Sequence, residues 1–228
     1  MSSIPLNLQA VRQRIESAAS AAGRPAQSVR LLAVSKTFPP AAVREAAQAG
    51  LRDFGENYAQ EGVEKIRELA SLGLTWHYIG PIQSNKTRVI AEHFDWVHSI
   101  DRAKIAARLA EARGPGQSEL QVCIQVNVSG EASKSGVAPE EAALLAKQVA
   151  GFARLKLRGL MTVPEPTTDT ALQRRRFAQL RELRERLNRD GLAMDTLSMG
   201  MSADLEAAIA EGATMVRVGT AIFGERKA

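Results

Sequence analysis

The chain has 228 residues, and its 30 Lys and Arg against 25 Asp and Glu give a formal net charge of +5. With 45% hydrophobic and 24% charged residues it has the composition of a globular domain, which excludes a disordered chain or a basic nucleic-acid tail. No apolar run reaches the roughly 18 residues of a membrane span, and residues 1–14 lack a secretory signal pattern. The single Cys123 cannot form an internal disulfide, so we expect a reducing compartment, the cytoplasm.

Short apolar runs alternate with amphipathic helical stretches along the chain. A first helix is predicted at residues 6–21, where Leu8, Val11 and Ile15 share one face. Eight strands are predicted, at residues 30–35, 51–54, 75–79, 96–99, 120–128, 157–163, 196–199 and 215–218. Helices are predicted after the first seven of them, at residues 39–49, 58–72, 85–93, 102–112, 139–152, 170–189 and 203–210.

Strands that alternate with helices pair in parallel through right-handed crossovers. Eight such units in 228 residues favour the α/β class and a closed (β/α)8 barrel of TIM type, with an extra N-terminal helix. An open doubly wound sheet is the alternative. We expect one domain over residues 1–228. Alternation within the fifth strand places Cys123 on its interior face, as an unreactive core residue.

Lys36 directly follows the first predicted strand. From the C-terminal end of a barrel strand it would project into the mouth of the barrel. Partial desolvation there lowers the pKa of a lysine and frees its amine to form a Schiff base. The alternative is a lysine that begins an exposed loop.

Two segments near the C-terminus indicate a phosphate site. Ser198-Met-Gly-Met-Ser202 follows the seventh strand, and Gly219-Thr220 follows the eighth. Many barrels bind phosphate with these loops, since glycines let the backbone approach an anion and hydroxyls donate hydrogen bonds to it. Ser202 ahead of Asp204 also fits an ordinary helix N-cap, and both roles can hold together.

Arg217 lies in the otherwise apolar last strand, on the same face as Met215 and Gly219. A buried arginine is costly without a partner, so a salt bridge and a ligand contact are both open. An amine on strand one, a phosphate cradle after strands seven and eight, and an interior arginine together indicate a pyridoxal phosphate site.

A family resemblance rests on segments that occur in order along almost the whole chain. They are Ala33-Val-Ser-Lys-Thr37, Phe54-Gly-Glu-Asn-Tyr58, Trp76-His-Tyr-Ile-Gly80 with Gln83-Ser-Asn-Lys86, Ser133-Lys-Ser-Gly136, Gly159-Leu-Met-Thr162, Ser198-Met-Gly-Met-Ser202, and Val216-Arg-Val-Gly-Thr220 with Ile222-Phe-Gly224. In these segments the chain resembles the pyridoxal phosphate homeostasis proteins. These are single-domain barrels similar to the N-terminal domain of bacterial alanine racemase.

The resemblance implies pyridoxal 5′-phosphate as the cofactor. It implies seven cofactor-binding residues: Lys36, Asn57, Met201, Ser202, Arg217, Gly219 and Thr220. Lys36 would hold the cofactor as a Schiff base, Arg217 would face the pyridine nitrogen, and Asn57 would lie near the ring. The other four would bind the phosphate, Met201 through the backbone around it. His77 lies in a family motif without an assigned role.

The implied function is intracellular homeostasis of the cofactor without robust turnover. An arginine cannot accept the pyridinium proton at neutral pH, so the ring is a weakened electron sink. Residue 228 also follows the last strand closely, where alanine racemase has a second domain. An amino-acid racemase is the alternative, and a Schiff-base aldolase on a phosphorylated sugar is a third reading. We expect a monomer that contacts neither nucleic acid nor membrane, with apo-enzymes that receive the cofactor as candidate partners.

Three further features complete the sequence predictions. The arginines at residues 174–189 lie on a helix with an apolar stripe, which favours a solvated helix over a nucleic-acid patch. His93 and His98 lack the ligand spacing of a metal site. Lys134 lies in a Gly- and Ser-rich loop after the fifth strand. We hypothesise that it holds the cofactor transiently, the alternative being a solvent-exposed loop lysine.

Overall fold

Eight parallel strands close into a barrel in the computed structural model, which describes residues 3–131 and 135–225. The strands follow one another around the barrel in chain order, and the last pairs with the first. They are β1 (Arg30–Val34), β2 (Asp53–Glu56), β3 (Thr75–Tyr78), β4 (Trp96–Ile100), β5 (Leu120–Gln125), β6 (Leu155–Met161), β7 (Thr196–Ser198) and β8 (Met215–Val218). The predicted closed barrel is confirmed, and the open sheet is excluded.

Helices surround the barrel, and one precedes it as predicted. They are α1 (Ile4–Ala21), α2 (Pro40–Gln48), α3 (Ala59–Glu68), α4 (Thr87–His93), α5 (Ala103–Ala112), α6 (Ala142–Ala150), α7 (Thr170–Arg189), α8 (Leu205–Ala210) and α9 (Thr220–Phe223). The extra helix α1 buries the predicted stripe of Leu8, Val11 and Ile15 and packs against α2, α8 and α9. None of the described helices is long and apolar enough to cross a membrane.

Some predicted boundaries were wrong by a few residues. The second strand begins at Asp53, because Leu51 donates its N–H to Ala46 and closes the end of α2 instead. The fifth strand ends at Gln125, and beyond it Val126 pairs with Val137 in an isolated bridge. Helix α8 begins at Leu205 rather than at residue 203.

The core has two layers. Apolar side chains fill the space between strands and helices, among them the α7 stripe of Phe177, Leu180, Leu183 and Leu187. Inside the barrel a smaller apolar cluster joins Trp96, Cys123 and Met161. The predicted alternation of β5 is confirmed: Val122 belongs to the outer layer and Cys123 to the inner one. The rest of the interior holds buried polar side chains, which extend toward the C-terminal ends of the strands.

Candidate functional site

A cavity of about 350 Å³ opens at the C-terminal ends of the strands. Its lining comprises Val34, Lys36, Asn57, Ile79, Val163, Met201, Ser202, Ala203, Arg217, Gly219 and Thr220. All seven residues predicted from the sequence are among these eleven. The volume lies within the range of small-molecule sites, and the position is the one that barrel enzymes use.

Lys36 is half-buried two residues beyond the end of β1. Side chains of a strand alternate between its two faces, so Lys36 continues the row of Leu32 and Val34 on the interior side. It lines the cavity together with Val34. The predicted projection of this lysine into the barrel mouth is therefore what the structure shows, and the exposed-loop alternative is excluded.

The segments after β7 and β8 line the cavity beside the end of β1. A Cβ atom on Gly219 would lie 3.1 Å from the carbonyl oxygen of Val34, so glycine allows the end of β8 to approach β1 closely. Gly200 has a φ of 94°, which favours glycine, and a Cβ there would be 2.6 Å from that of Ala208. The turn after β7 thereby carries Ser202 to the cavity.

The N-terminal helix supports this loop. Arg14 of α1 donates from Nη2 to the carbonyl oxygen of Ser202 at 2.9 Å and forms an ion pair with Glu206 of α8. The N-cap interpretation of Ser202 was wrong, because Asp204 occupies that position. The carboxylate of Asp204 accepts a hydrogen bond from the Met201 N–H at 2.6 Å. The backbone N–H of Met201 is thus already engaged, whereas Ser202 and Thr220 each bring a hydroxyl to the cavity lining.

Asn57 presents a polar atom that has no partner among the described residues. It follows β2, and its Oδ1 atom is buried without a hydrogen bond. Its backbone is packed tightly, since a Cβ on Gly80 would come within 2.3 Å of the Asn57 carbonyl oxygen. Buried polar atoms in native proteins are nearly always satisfied, so an unsatisfied one that borders a cavity fits a ligand contact.

Arg217 is buried on the interior face of β8 and also lines the cavity. Its guanidinium donates to the carbonyl oxygen of Ser198 at 2.6 Å, to the hydroxyl of Ser198 at 2.8 Å and to the carbonyl oxygen of Thr162 at 2.7 Å. Its partners are thus neutral oxygens rather than the carboxylate of a salt bridge. Burial lowers the pKa of Arg217 to about 10, so it remains a cation at neutral pH.

A chain of hydrogen bonds that the sequence does not predict continues from Arg217 through the barrel interior. The Ser198 hydroxyl lies 2.8 Å from His98 Nδ1, and His98 Nε2 lies 2.9 Å from His77 Nδ1. His77 Nε2 lies 3.0 Å from the Asp53 carboxylate. The only signals in the sequence were that His77 lies in a motif, and that the even spacing of Asp53 and Asn57 places both on the interior side of β2 and of the residue that follows it.

This chain has one consistent direction. A guanidinium can only donate, so the Ser198 oxygen accepts from Arg217 and its hydroxyl donates to His98. Burial, together with His77 and Arg217 nearby, holds the pKa of His98 well below its ordinary value, and burial also lowers the pKa of His77. Both imidazoles are therefore neutral and carry hydrogen on Nε2, so each donates toward Asp53.

Three other predictions concern residues away from the cavity. Burial raises the pKa of the Cys123 thiol to about 12, as expected of an unreactive core cysteine. The described residues include no cluster of His, Cys, Asp or Glu that could hold a metal ion. Lys134, the hypothesised transient site, lies outside the described residues.

Known proteins of one family are similar to this chain over almost its whole length. Residues 6–227 match the family model of the alanine racemase N-terminal domain. A pyridoxal phosphate homeostasis protein of Pseudomonas aeruginosa is 64% identical over 226 residues, which cover 99% of this chain and 97% of that protein. A protein of the same description from Escherichia coli K12 is 52% identical over 229 residues, covering 99% of this chain and 98% of that protein.

Solved structures show the same barrel. PipY of Synechococcus elongatus with PLP bound matches with a TM-score of 0.81 and 40% identity, over 92% of this chain and 99% of that one. Alanine racemase of Corynebacterium glutamicum matches with a TM-score of 0.67 and 19% identity, over 97% of this chain and 62% of that one. The second match shows a shared fold alone.

Proposed function

Since this chain belongs to the pyridoxal phosphate homeostasis proteins of the alanine racemase N-terminal domain family, we propose that it binds pyridoxal 5′-phosphate covalently through Lys36. We further propose that it serves homeostasis of this cofactor without robust turnover. The observation that carries the proposal is that one cavity collects the amine of Lys36 and the six other residues predicted to contact the cofactor.

The chemistry of the cavity fits this ligand. When bound, pyridoxal 5′-phosphate supplies an aldehyde that condenses with an amine and releases water. Lys36 provides the amine from the β1 side, and the hydroxyls of Ser202 and Thr220 provide donors for a phosphate from the β7 and β8 side. Asn57, with its unsatisfied Oδ1, lines the site after β2, on the other side of β1 from β8.

Arg217 supports a binding role over strong catalysis. The guanidinium donates three hydrogen bonds to Ser198 and Thr162. These bonds hold it at the cavity wall, where it can act only as a donor. A donor cannot take a proton from a ring nitrogen, so it does not strengthen the electron sink. Racemisation also needs proton transfer on both faces of a substrate. Among the described residues that line the cavity, only Lys36 and Arg217 carry ionisable side chains.

We also propose that the protein is a cytoplasmic monomer that transfers the cofactor to apo-enzymes. Sedimentation of the purified protein tests the oligomeric state.

The direct test is the visible absorption spectrum of the purified protein mixed with pyridoxal 5′-phosphate. We expect a band of the Lys36-linked cofactor that Lys36→Ala abolishes, with the circular dichroism spectrum unchanged. Lys104→Ala, which removes an exposed lysine on α5, is the matched control and should keep the band. Borohydride reduction followed by peptide mapping should label Lys36.

Three outcomes would contradict the proposal. A band that survives in Lys36→Ala would move the covalent anchor to another residue. Equal affinity for pyridoxal with and without its phosphate would remove the assignment of Ser202, Gly219 and Thr220. Substantial racemisation of an amino acid by the loaded protein would replace the homeostasis role with that of an enzyme.

A further inference from the structure

The residue after Lys36 has an unusual backbone conformation. Thr37 has a φ of 68°, and among the described residues only Arg154 shares a positive φ without being glycine. A β-branched side chain strongly disfavours this region, so the surrounding structure must hold Thr37 there. Strain of this kind concentrates at functional sites, and here it lies next to the proposed anchor of the cofactor.

A buried lysine holds the residue before Lys36. The ammonium of Lys65, on α3, donates to the carbonyl oxygen of Ser35 at 2.7 Å. It also donates to Glu56 at 2.8 Å and to Glu61 at 2.7 Å, so each of its three N–H groups has an acceptor. The Ser35 hydroxyl donates to the same Glu56 oxygen at 2.6 Å.

The same cluster holds the residue after Lys36. Glu61 Oε1, which accepts from Lys65, also accepts from the backbone N–H of Thr37 at 2.5 Å. The backbone on both sides of Lys36 is thus tied to one ammonium ion, directly at Ser35 and through Glu61 at Thr37. These contacts lie on β1, β2 and α3, whereas the proposed phosphate cradle lies after β7 and β8.

We propose that Glu61 and Lys65 are positioning residues for Lys36. They hold the strained turn at Thr37 so that the amine of Lys36 enters the cavity, and they do so without contact to the cofactor. This inference rests on the proposed function. A positioning role differs from that of a merely structural ion pair. Loss of the cluster should slow the covalent bond to Lys36 and leave the non-covalent contacts of the phosphate unaffected.

The test uses two ligands that share a phosphate. Pyridoxal 5′-phosphate can bond to Lys36, whereas pyridoxine 5′-phosphate has an alcohol in place of the aldehyde and cannot. Stopped-flow absorbance gives the rate of covalent binding of the first, and calorimetry gives the Kd of the second. Glu61→Ala should slow covalent binding about tenfold to a hundredfold, as misplaced reacting groups do, with the Kd of pyridoxine 5′-phosphate nearly unchanged.

Two further variants refine the comparison. Glu61→Gln should recover most of the rate, because its amide oxygen can still accept from the Thr37 N–H. Glu64→Gln changes an exposed carboxylate on the same helix and should behave as the parent chain does. Hydrogen exchange reports on the turn itself: the Thr37 amide should be protected in the parent and Glu61→Gln, and exposed in Glu61→Ala.

The outcomes separate the two proposals. An unchanged covalent rate in Glu61→Ala, or an equal loss for both ligands, would overturn the positioning role. If the parent chain forms no covalent bond at all, the proposed function fails. The exchange of the Thr37 amide then still decides whether Glu61 holds the turn, and fast exchange in the parent would overturn that too.

Discussion

Two buried polar networks flank the sheet of this barrel, and they are built differently. The outer one lies between the sheet and α3, where Lys65 is paired with Glu56 and Glu61. The inner one runs along the barrel interior from Arg217 through Ser198, His98 and His77 to Asp53. The outer network concentrates formal charges around one point, whereas the inner one keeps charges at its ends and neutral imidazoles between them.

The difference follows from how many hydrogen bonds each site can supply. An ammonium ion can be buried where three acceptors converge, as they do around Lys65. The narrow interior offers each imidazole only two partners, one on each nitrogen. A protonated imidazole would need two acceptors, and His98 faces the donor hydroxyl of Ser198 on one side. A chain with a fixed direction is the arrangement that this space allows.

The largest expected effect comes from removing the ammonium of the outer network. Lys65→Met should lower the free energy of unfolding by about 3–5 kcal/mol, because it leaves the buried Glu56 carboxylate without its counter-charge. Urea unfolding measures the loss, and Lys147→Met, at an exposed position on α6, is the control. A loss no greater than that of the control would show that Glu56 is not charged in the folded protein.

A smaller loss is expected when the inner network loses its cation. Arg217→Met leaves the carbonyl oxygens of Ser198 and Thr162 without their donor, but these groups are neutral. We expect the free energy of unfolding to fall by about 2–3 kcal/mol. The same urea experiment places the two variants on one scale. A larger loss in Arg217→Met than in Lys65→Met would reverse the ranking of the networks.

The inner network should also make stability depend on pH. Burial lowers the pKa of His77 and His98 in the folded chain, so below about pH 6.5 the unfolded chain binds more protons. Stability is therefore complete above that pH and declines as pH falls, by at most about 2 kcal/mol between pH 6.5 and 5.5 if both histidines stay neutral. The raised pKa of Glu56 acts in the opposite direction. Urea midpoints that do not change over this window would contradict neutral, buried imidazoles.

The last prediction concerns the positions of hydrogen atoms on the histidines, which are read from NMR spectra without a change in stability. Nitrogen-15 shifts should show hydrogen on Nε2 of both His77 and His98. His93 is an internal control, because its Nδ1 lies 3.0 Å from the Val89 carbonyl oxygen and must carry the hydrogen there. Hydrogen on Nδ1 of His98 would break the direction of the chain and require another acceptor for the Ser198 hydroxyl.

The barrel and the seven cavity residues could be predicted from the sequence. The ends of strands and the order of motifs are local features of the sequence, and they were sufficient for both. The sequence did not predict either network. Glu56 and Lys65 meet only when α3 packs on the sheet, and His98 and Ser198 are a hundred positions apart. Their contact depends on barrel closure and register. The N-cap error at Ser202 has a local cause, since the loop after β7 extends two residues further, to Asp204.

Cys123 has a consequence for a protein proposed to carry an aldehyde. Thiolates add to aldehydes reversibly and would compete with an amine for the same carbon. The one thiol of this chain is fully buried beside Trp96 and Met161, and burial keeps it protonated. The aldehyde can therefore bond only to nitrogen nucleophiles of the folded protein, such as the amine of Lys36. The same burial makes Cys123 a built-in reporter of global opening, since a thiol reagent can reach it only when the barrel comes apart.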